Sequence, residues 1–98
     1  MREGIQNTSG HDSHKDALLL NKLARAQLDI NDLQSATQTL HESLEKDNKI
    51  YMTRVYLAVM AEKSNNTPEA VEYLKAAIKL DPKSSVAYKN LAHILYNS

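Results

Sequence analysis

The chain has 98 residues, 12 Lys and Arg against 12 Asp and Glu, no cysteine, and only 2 glycines and 2 prolines. A chain this short makes at most one small domain with a marginal core, and its zero formal charge speaks against nucleic acid or an anionic membrane as the main partner. Without thiols there are no disulfides, thiolate nucleophiles or thiolate metal sites, and with no apolar run of roughly 18 to 20 residues and no signal-peptide core the expectation is a soluble, cytoplasmic protein.

Residues 1–12 carry Met1 and Ile5 as their only large apolar side chains, and a disordered tail is expected there, with the folded domain over 13–98. Ser13-His14-Lys15-Asp16 has the form of a capping box, which predicts a first helix starting at residue 13 or 14. Along it Leu19, Leu20, Leu23, Ala24 and Gln27 fall on one face, and Asn31 and Asp32 supply turn and cap chemistry. A second helix is predicted over about 33–46 with Ala36, Leu40, Ser43 and Leu44 inward, and a third over about 50–62 with Leu57, Ala58 and Ala61 on one side. Thr67 is the expected cap of a fourth helix, with Pro68 in its first turn. A fifth begins near Ser85, after the stop at Asp81 and Pro82. The fold class is therefore all-α.

The helices hide a repeat. Sliding the chain until position 23 meets position 57 places Leu23 on Leu57, Ala24 on Ala58, Asn31 on Asn65, Ala36 on Ala70, Leu40 on Leu74, Asp47 on Asp81 and Lys49 on Lys83. A second slide by the same period places Leu57 and Ala58 on Leu91 and Ala92. The matches gather at small and apolar positions, as close packing of two helices in a hairpin demands. One hairpin cannot bury its apolar face alone, so successive hairpins stack.

These residues resemble the tetratricopeptide repeat (TPR) family, whose helix-turn-helix unit is about 34 residues long. Leu57 and Ala58, then Ala70, Leu74 and Ala77, then Pro82 fit its pattern over repeat 51–84. Repeat 17–50 matches at Leu20, Leu23, Ala24, Ala36 and Leu40, with Asn48 where proline is usual, and 85–98 matches a first helix at Tyr88, Leu91 and Ala92 and would act as a capping helix. Arg54 stands where the family prefers a large aromatic, and Gln27 and Ala61 replace its usual tyrosine. The resemblance implies a right-handed superhelical stack of hairpins whose first helices line a concave groove that binds a peptide or helix of a partner protein.

At about 100° per residue, Leu23, Ala24 and Gln27 face the partner helix while Leu18, Asn21, Arg25 and Leu28 point the other way. Carried along the repeat, the expected groove is Leu18, Asn21, Arg25, Met52, Val55, Tyr56, Val59, Val86, Lys89 and His93. Its aliphatic middle and basic margins suit an amphipathic helix or extended peptide with an acidic group. The clamp with which some family members hold acidic chaperone tails is not expected, because the corresponding positions are Asn21, Arg25, Tyr56, Val86 and Asn90, and Val86 replaces a required cation.

Other constellations weigh less. His11 and His14, with Asp12 and Asp16, have too little rigidity for a metal cage, and His41 and His93 read as surface residues. No glycine-rich phosphate loop, nucleophile elbow or metal motif is present, so neither enzyme activity nor a cofactor is expected. Among the tyrosines, Tyr88 is expected in the core between units, and Tyr56 and Tyr96 on contact surfaces. The last helix carries Ala87, Tyr88, Leu91, Ile94 and Leu95, more apolar surface than a cap needs. The competing expectations are therefore a self-assembly module joined weakly through that helix, or part of a longer array.

Overall fold

A computed structural model of the chain describes the backbone of residues 2–97 and the side chains of residues 13–96. The fold is all-helical, with five helices and no strand among the described residues: α1 (Arg2–Asp29), α2 (Leu33–Lys46), α3 (Tyr51–Lys63), α4 (Thr67–Leu80) and α5 (Ser85–Asn97). No described helix is long and apolar enough to cross a membrane. The tail expected over 1–12, with His11 and Asp12, lies outside the described side chains. The backbone of α1 begins upstream of Ser13, so the predicted capping box is an interior turn of a longer helix. No proline interrupts that run, and each residue added to an existing helix gains a hydrogen bond.

The period of the sequence recurs in the backbone bond by bond. Among the described residues Asn31 and Asn65 are the two non-glycine residues with positive φ, at 64° and 63°. Asparagine tolerates this left-handed conformation better than most residues, and it ends a helix sharply. Around them the Asn31 and Asn65 amides donate three residues back, to Leu28 and Glu62. The amides of Asp32 and Asn66 donate five residues back, to Gln27 and Ala61, both at 2.8 Å. The side chains of Asp32 and Asn66 then cap α2 and α4, accepting from the amides of Ser35 and Glu69. Asn66 also donates its amide to the Glu69 carboxylate at 2.9 Å, so Asn66 rather than Thr67 is the cap.

The turns that close the two hairpins also match. The Asp47 and Asp81 amides donate to Ser43 and Ala77, each at 2.9 Å, and their carboxylates accept from the amides of Lys49 and Lys83. Where Pro82 stiffens the second of these turns, the first has Asn48, whose carbonyl accepts from the Arg54 guanidinium at 2.7 Å. The arginine in place of an aromatic thus holds the turn that lacks proline. The cap of α5 is Ser84, whose Oγ accepts from the Ala87 amide, one residue before the expected Ser85.

Packing follows sequence neighbours. Helices α1 and α2 pair along their lengths, as do α3 and α4, and α3 also touches both α1 and α5. One apolar cluster joins Ala24, Leu40 and Leu57 across the first three helices, and a larger one joins Val55, Ala58, Ala61, Ala70, Leu74, Ala77, Ala87 and Ile94 across the last three. Tyr73 packs on both, and burial together with the nearby Glu69 carboxylate raises its phenol pKa above 10.0. The inward assignments on α2, α3 and α4 agree with this core, with Leu44 half-buried.

The face assigned to α1 needs correction. The buried stripe is Ala17, Asn21, Ala24 and Leu28, whereas Leu19 is 63% and Leu23 49% exposed. Their counterparts one repeat on, Thr53 and Leu57, are fully buried against the preceding hairpin. Nothing described precedes α1, so its leucines at these positions lie open. At the other end Tyr88 is exposed rather than core.

Candidate functional site

Helices α1, α2 and α3 meet at three buried polar side chains. Asn21 Nδ2 donates to Thr53 Oγ1 at 2.9 Å, and Ser43 Oγ donates to Asn21 Oδ1 at 2.8 Å. The two hydroxyls are 3.4 Å apart, and Ser43 Oγ is also 3.1 Å from the Ala17 carbonyl. Each hydroxyl has one proton: Ser43 gives its own to Asn21, and Thr53 Oγ1, which accepts from the Asn21 amide, donates to Asn21 Oδ1 at 3.2 Å or to Ser43 Oγ at 3.4 Å, so the three groups satisfy one another. One N–H of the Asn21 amide and its carbonyl oxygen are thus engaged inside the core.

Above this junction a hollow of about 570 Å³ opens between α1 and the start of α3. Its walls are mainly apolar, formed by Leu18, Leu19, Ile50, Tyr51, Met52 and Tyr56, with Asn21 beneath and Lys15 and Lys22 at the margin. Turn chemistry places it there: the bonds around Asp47 aim α3 back along α1, so that Ile50 and Tyr51 close one end. On the same side of the turn, His14 Nδ1 donates to Asp47 Oδ2 at 2.6 Å. That hydrogen bond, and after it the amide of Lys49, hold the Asp47 carboxyl below its ordinary value of 3.8.

Of the ten residues expected to line a groove, Leu18, Asn21, Met52 and Tyr56 meet at this hollow. Val55 is 2% exposed and belongs to the core of the last three helices. Arg25 is exposed and Val59 half-buried, and neither lines the hollow. Val86, Lys89 and His93 lie on α5, also outside it, and His93 approaches Glu62 at 3.6 Å. A single strip running the length of the molecule through these positions is therefore interrupted by burial at Asn21 and Val55. A helical wheel orients each residue about its own axis but does not register which neighbouring helix covers it.

The hollow also has walls that the wheel did not supply. Leu19 was assigned to the buried side, Lys15 and Lys22 lie at the shoulders of α1, Ile50 comes from the α2–α3 turn and Tyr51 is the first residue of α3. The signal for Leu19 was available in the repeat: its counterpart Thr53 meets the preceding helices through Asn21, whereas no described helix lies before α1. No group of three or more metal-ligating side chains occurs among the described residues. No protein-family model matches the chain, and no curated protein matches it.

Proposed function

We propose that this chain is a TPR-like protein-interaction module whose hairpins stack in a right-handed superhelix, and that it binds a peptide or short helix of another protein in the hollow between α1 and α3. The observation that carries the reading is an apolar recess with two lysines at its edge, exposed on the first helices of two successive repeats. The recurrence of turn and cap geometry from one repeat to the next supports the family likeness. A recess of this size takes one or two large side chains rather than a whole amphipathic face. Lys15 and Lys22 favour an acidic residue beside the anchor, chiefly through encounter and orientation.

Selection of displayed random peptides on the immobilised protein tests this reading. The expected ligands share a Leu, Ile, Met or aromatic anchor flanked by Asp or Glu, and their binding perturbs the backbone amides of Leu18, Met52 and Tyr56. Leu18→Glu, at a position already 41% exposed, should weaken binding at least about tenfold without unfolding the chain. Lys22→Glu should act more weakly and mainly at low salt. Selected peptides without a common anchor, or binding unchanged by Leu18→Glu, would refute the proposal.

A further inference from the structure

The outer face of α5 repeats, in register, a surface that each upstream hairpin covers with its second helix. In α3, Ala58 and Ala61 are buried against α4, which presents Ala70, Leu74 and Ala77, all fully buried. In α1–α2 the covering residues at the same positions are Ala36, Leu40 and Ser43, also fully buried. Shifted by one repeat, the receiving surface is Ala92 and Leu95 of α5, while Leu91, like its counterpart Leu57, packs on the core upstream. Here Ala92 is exposed and Leu95 is 63% exposed. A shallow apolar hollow of about 330 Å³ lies against Ala92, Leu95 and Tyr96.

We propose that this face of α5 docks an amphipathic helix of a partner protein, laid antiparallel as α2 and α4 are laid, and carrying a small residue, a leucine four residues later and an acidic residue three after that. The first two requirements follow from continuity with the two hairpin interfaces within the chain. Ala92 keeps the surface low, so that two backbones can approach to the roughly 8–10 Å of close helix packing, and a leucine from the partner fills the space that Leu40 and Leu74 fill upstream. The small residue is demanded more strongly here, because Leu95 replaces the alanine at position 61 and takes up volume that the upstream interface leaves to its partner.

The acidic residue follows from the third contact. In the first unit Asn21 meets Ser43 through a hydrogen bond, and in the second Val55 meets Ala77 in an apolar cluster. The chemistry of the first helix is thus matched by that of the second at this position. On α5 the position is Lys89, which is exposed. An Asp or Glu is its complement, and a lysine or arginine there would place like charges together.

A peptide copying residues 66–80, which contains Ala70, Leu74 and Ala77, supplies the probe, with two versions carrying Ala77→Glu and Ala77→Lys. Titrated into the isotope-labelled chain, the Ala77→Glu peptide should perturb the amides of Leu91, Ala92 and Leu95 and bind about three- to tenfold more tightly than the Ala77→Lys peptide. Lys89→Ala in the protein should remove that preference. Ala92→Leu and Leu95→Glu, both at exposed positions, should each abolish binding while leaving the helical content unchanged. No perturbation of α5 at millimolar peptide would overturn the proposal, as would affinity indifferent to the charge at peptide position 77. Perturbation confined to the α1–α3 hollow would assign the peptide to that recess instead. A chain that doubles its mass in sedimentation until Leu95→Glu restores the monomer would show a second copy to be the occupant and would likewise overturn it. The outcome is independent of the α1–α3 recess, whose own variant is Leu18→Glu.

Discussion

Where α1, α2 and α3 meet, the side chains are Asn21, Ser43 and Thr53, closed into a hydrogen-bonded ring. One repeat later, where α3, α4 and α5 meet, the same three positions are Val55, Ala77 and Ala87, packed in an apolar cluster. From the end of α1 onward the helices on both sides start and stop in the same register, with the same turn bonds, although α1 itself begins well upstream of the position equivalent to Tyr51. Backbone geometry at these junctions is thus set by the hairpin turns and by the small residues around them, not by what fills the centre. The two fillings differ in another respect: an apolar cluster tolerates modest repacking, whereas a ring of three polar groups is stable only if every member is present.

The largest test moves the polar residue into the wrong junction. Val55→Asn removes an apolar side chain that is 2% exposed and puts an amide where Ala77 and Ala87 offer no side-chain partner. Lost packing and an unsatisfied amide together should destabilise the chain by about 3 kcal/mol, read as a fall in the urea midpoint at unchanged slope. A much smaller loss would mean that the second junction admits water and is not the dry cluster described.

The reverse exchange should cost less and should not add up. Asn21→Val leaves Ser43 able to donate to the Ala17 carbonyl and Thr53 to Ser43, so the expected loss is about 1–2 kcal/mol. Replacing all three residues with those of the other junction (Asn21→Val, Ser43→Ala and Thr53→Ala) removes both ends of every bond among the three side chains and should return the stability to within about 1 kcal/mol of the natural chain. If the losses of the single variants simply add in the triple one, the three side chains do not act as a ring.

Periodicity carried most of this architecture. Leu40, Leu57, Leu74 and the alanines opposite them were legible as the core because each has a counterpart one repeat away and lies between helices that the chain itself supplies. Leu19, Leu23 and Tyr88 were not, since pattern alone cannot distinguish a residue covered by a neighbouring hairpin from one that no described helix covers. Two of the expected groove residues show the same problem in reverse: Asn21 and Val55 look outward on a wheel, but another helix crosses over them. The polar ring was hidden because its members are 22 and 32 residues apart in sequence, and single Asn, Ser and Thr side chains in helices read as surface.

Gln27 offers a finer comparison. Its counterpart in the second repeat is Ala61, and its Oε1 is buried without a hydrogen-bond partner among the described groups. Gln27→Ala should therefore be neutral to stabilising, by up to about 1 kcal/mol, because it removes an unpaired acceptor and adds helix propensity. Thermal unfolding of the single variant checks this, and a clear loss of stability would show that Gln27 packs better than its unpaired oxygen suggests.

The smallest effect distinguishes the two closing turns by their response to acid. Asp47 and Asp81 make the same bond to the amide two residues ahead, but only Asp47 also accepts from a histidine, since the residue one repeat after His14 is Asn48. With its folded-state pKa below 3.8, Asp47 binds a proton more readily in the unfolded chain. Its contribution to stability is therefore complete above about pH 4 and is lost as the pH falls through the folded value. Because His14 lies at the surface, the pair should be worth under about 1 kcal/mol. His14→Gln should lower the urea midpoint at about pH 5 and leave it nearly unchanged at a pH below the folded-state pKa of Asp47, where the carboxyl is protonated in either chain. An equal loss at both pH values would mean that His14 acts by packing on α1 alone, and the two turns would then be equivalent in charge as they already are in backbone geometry.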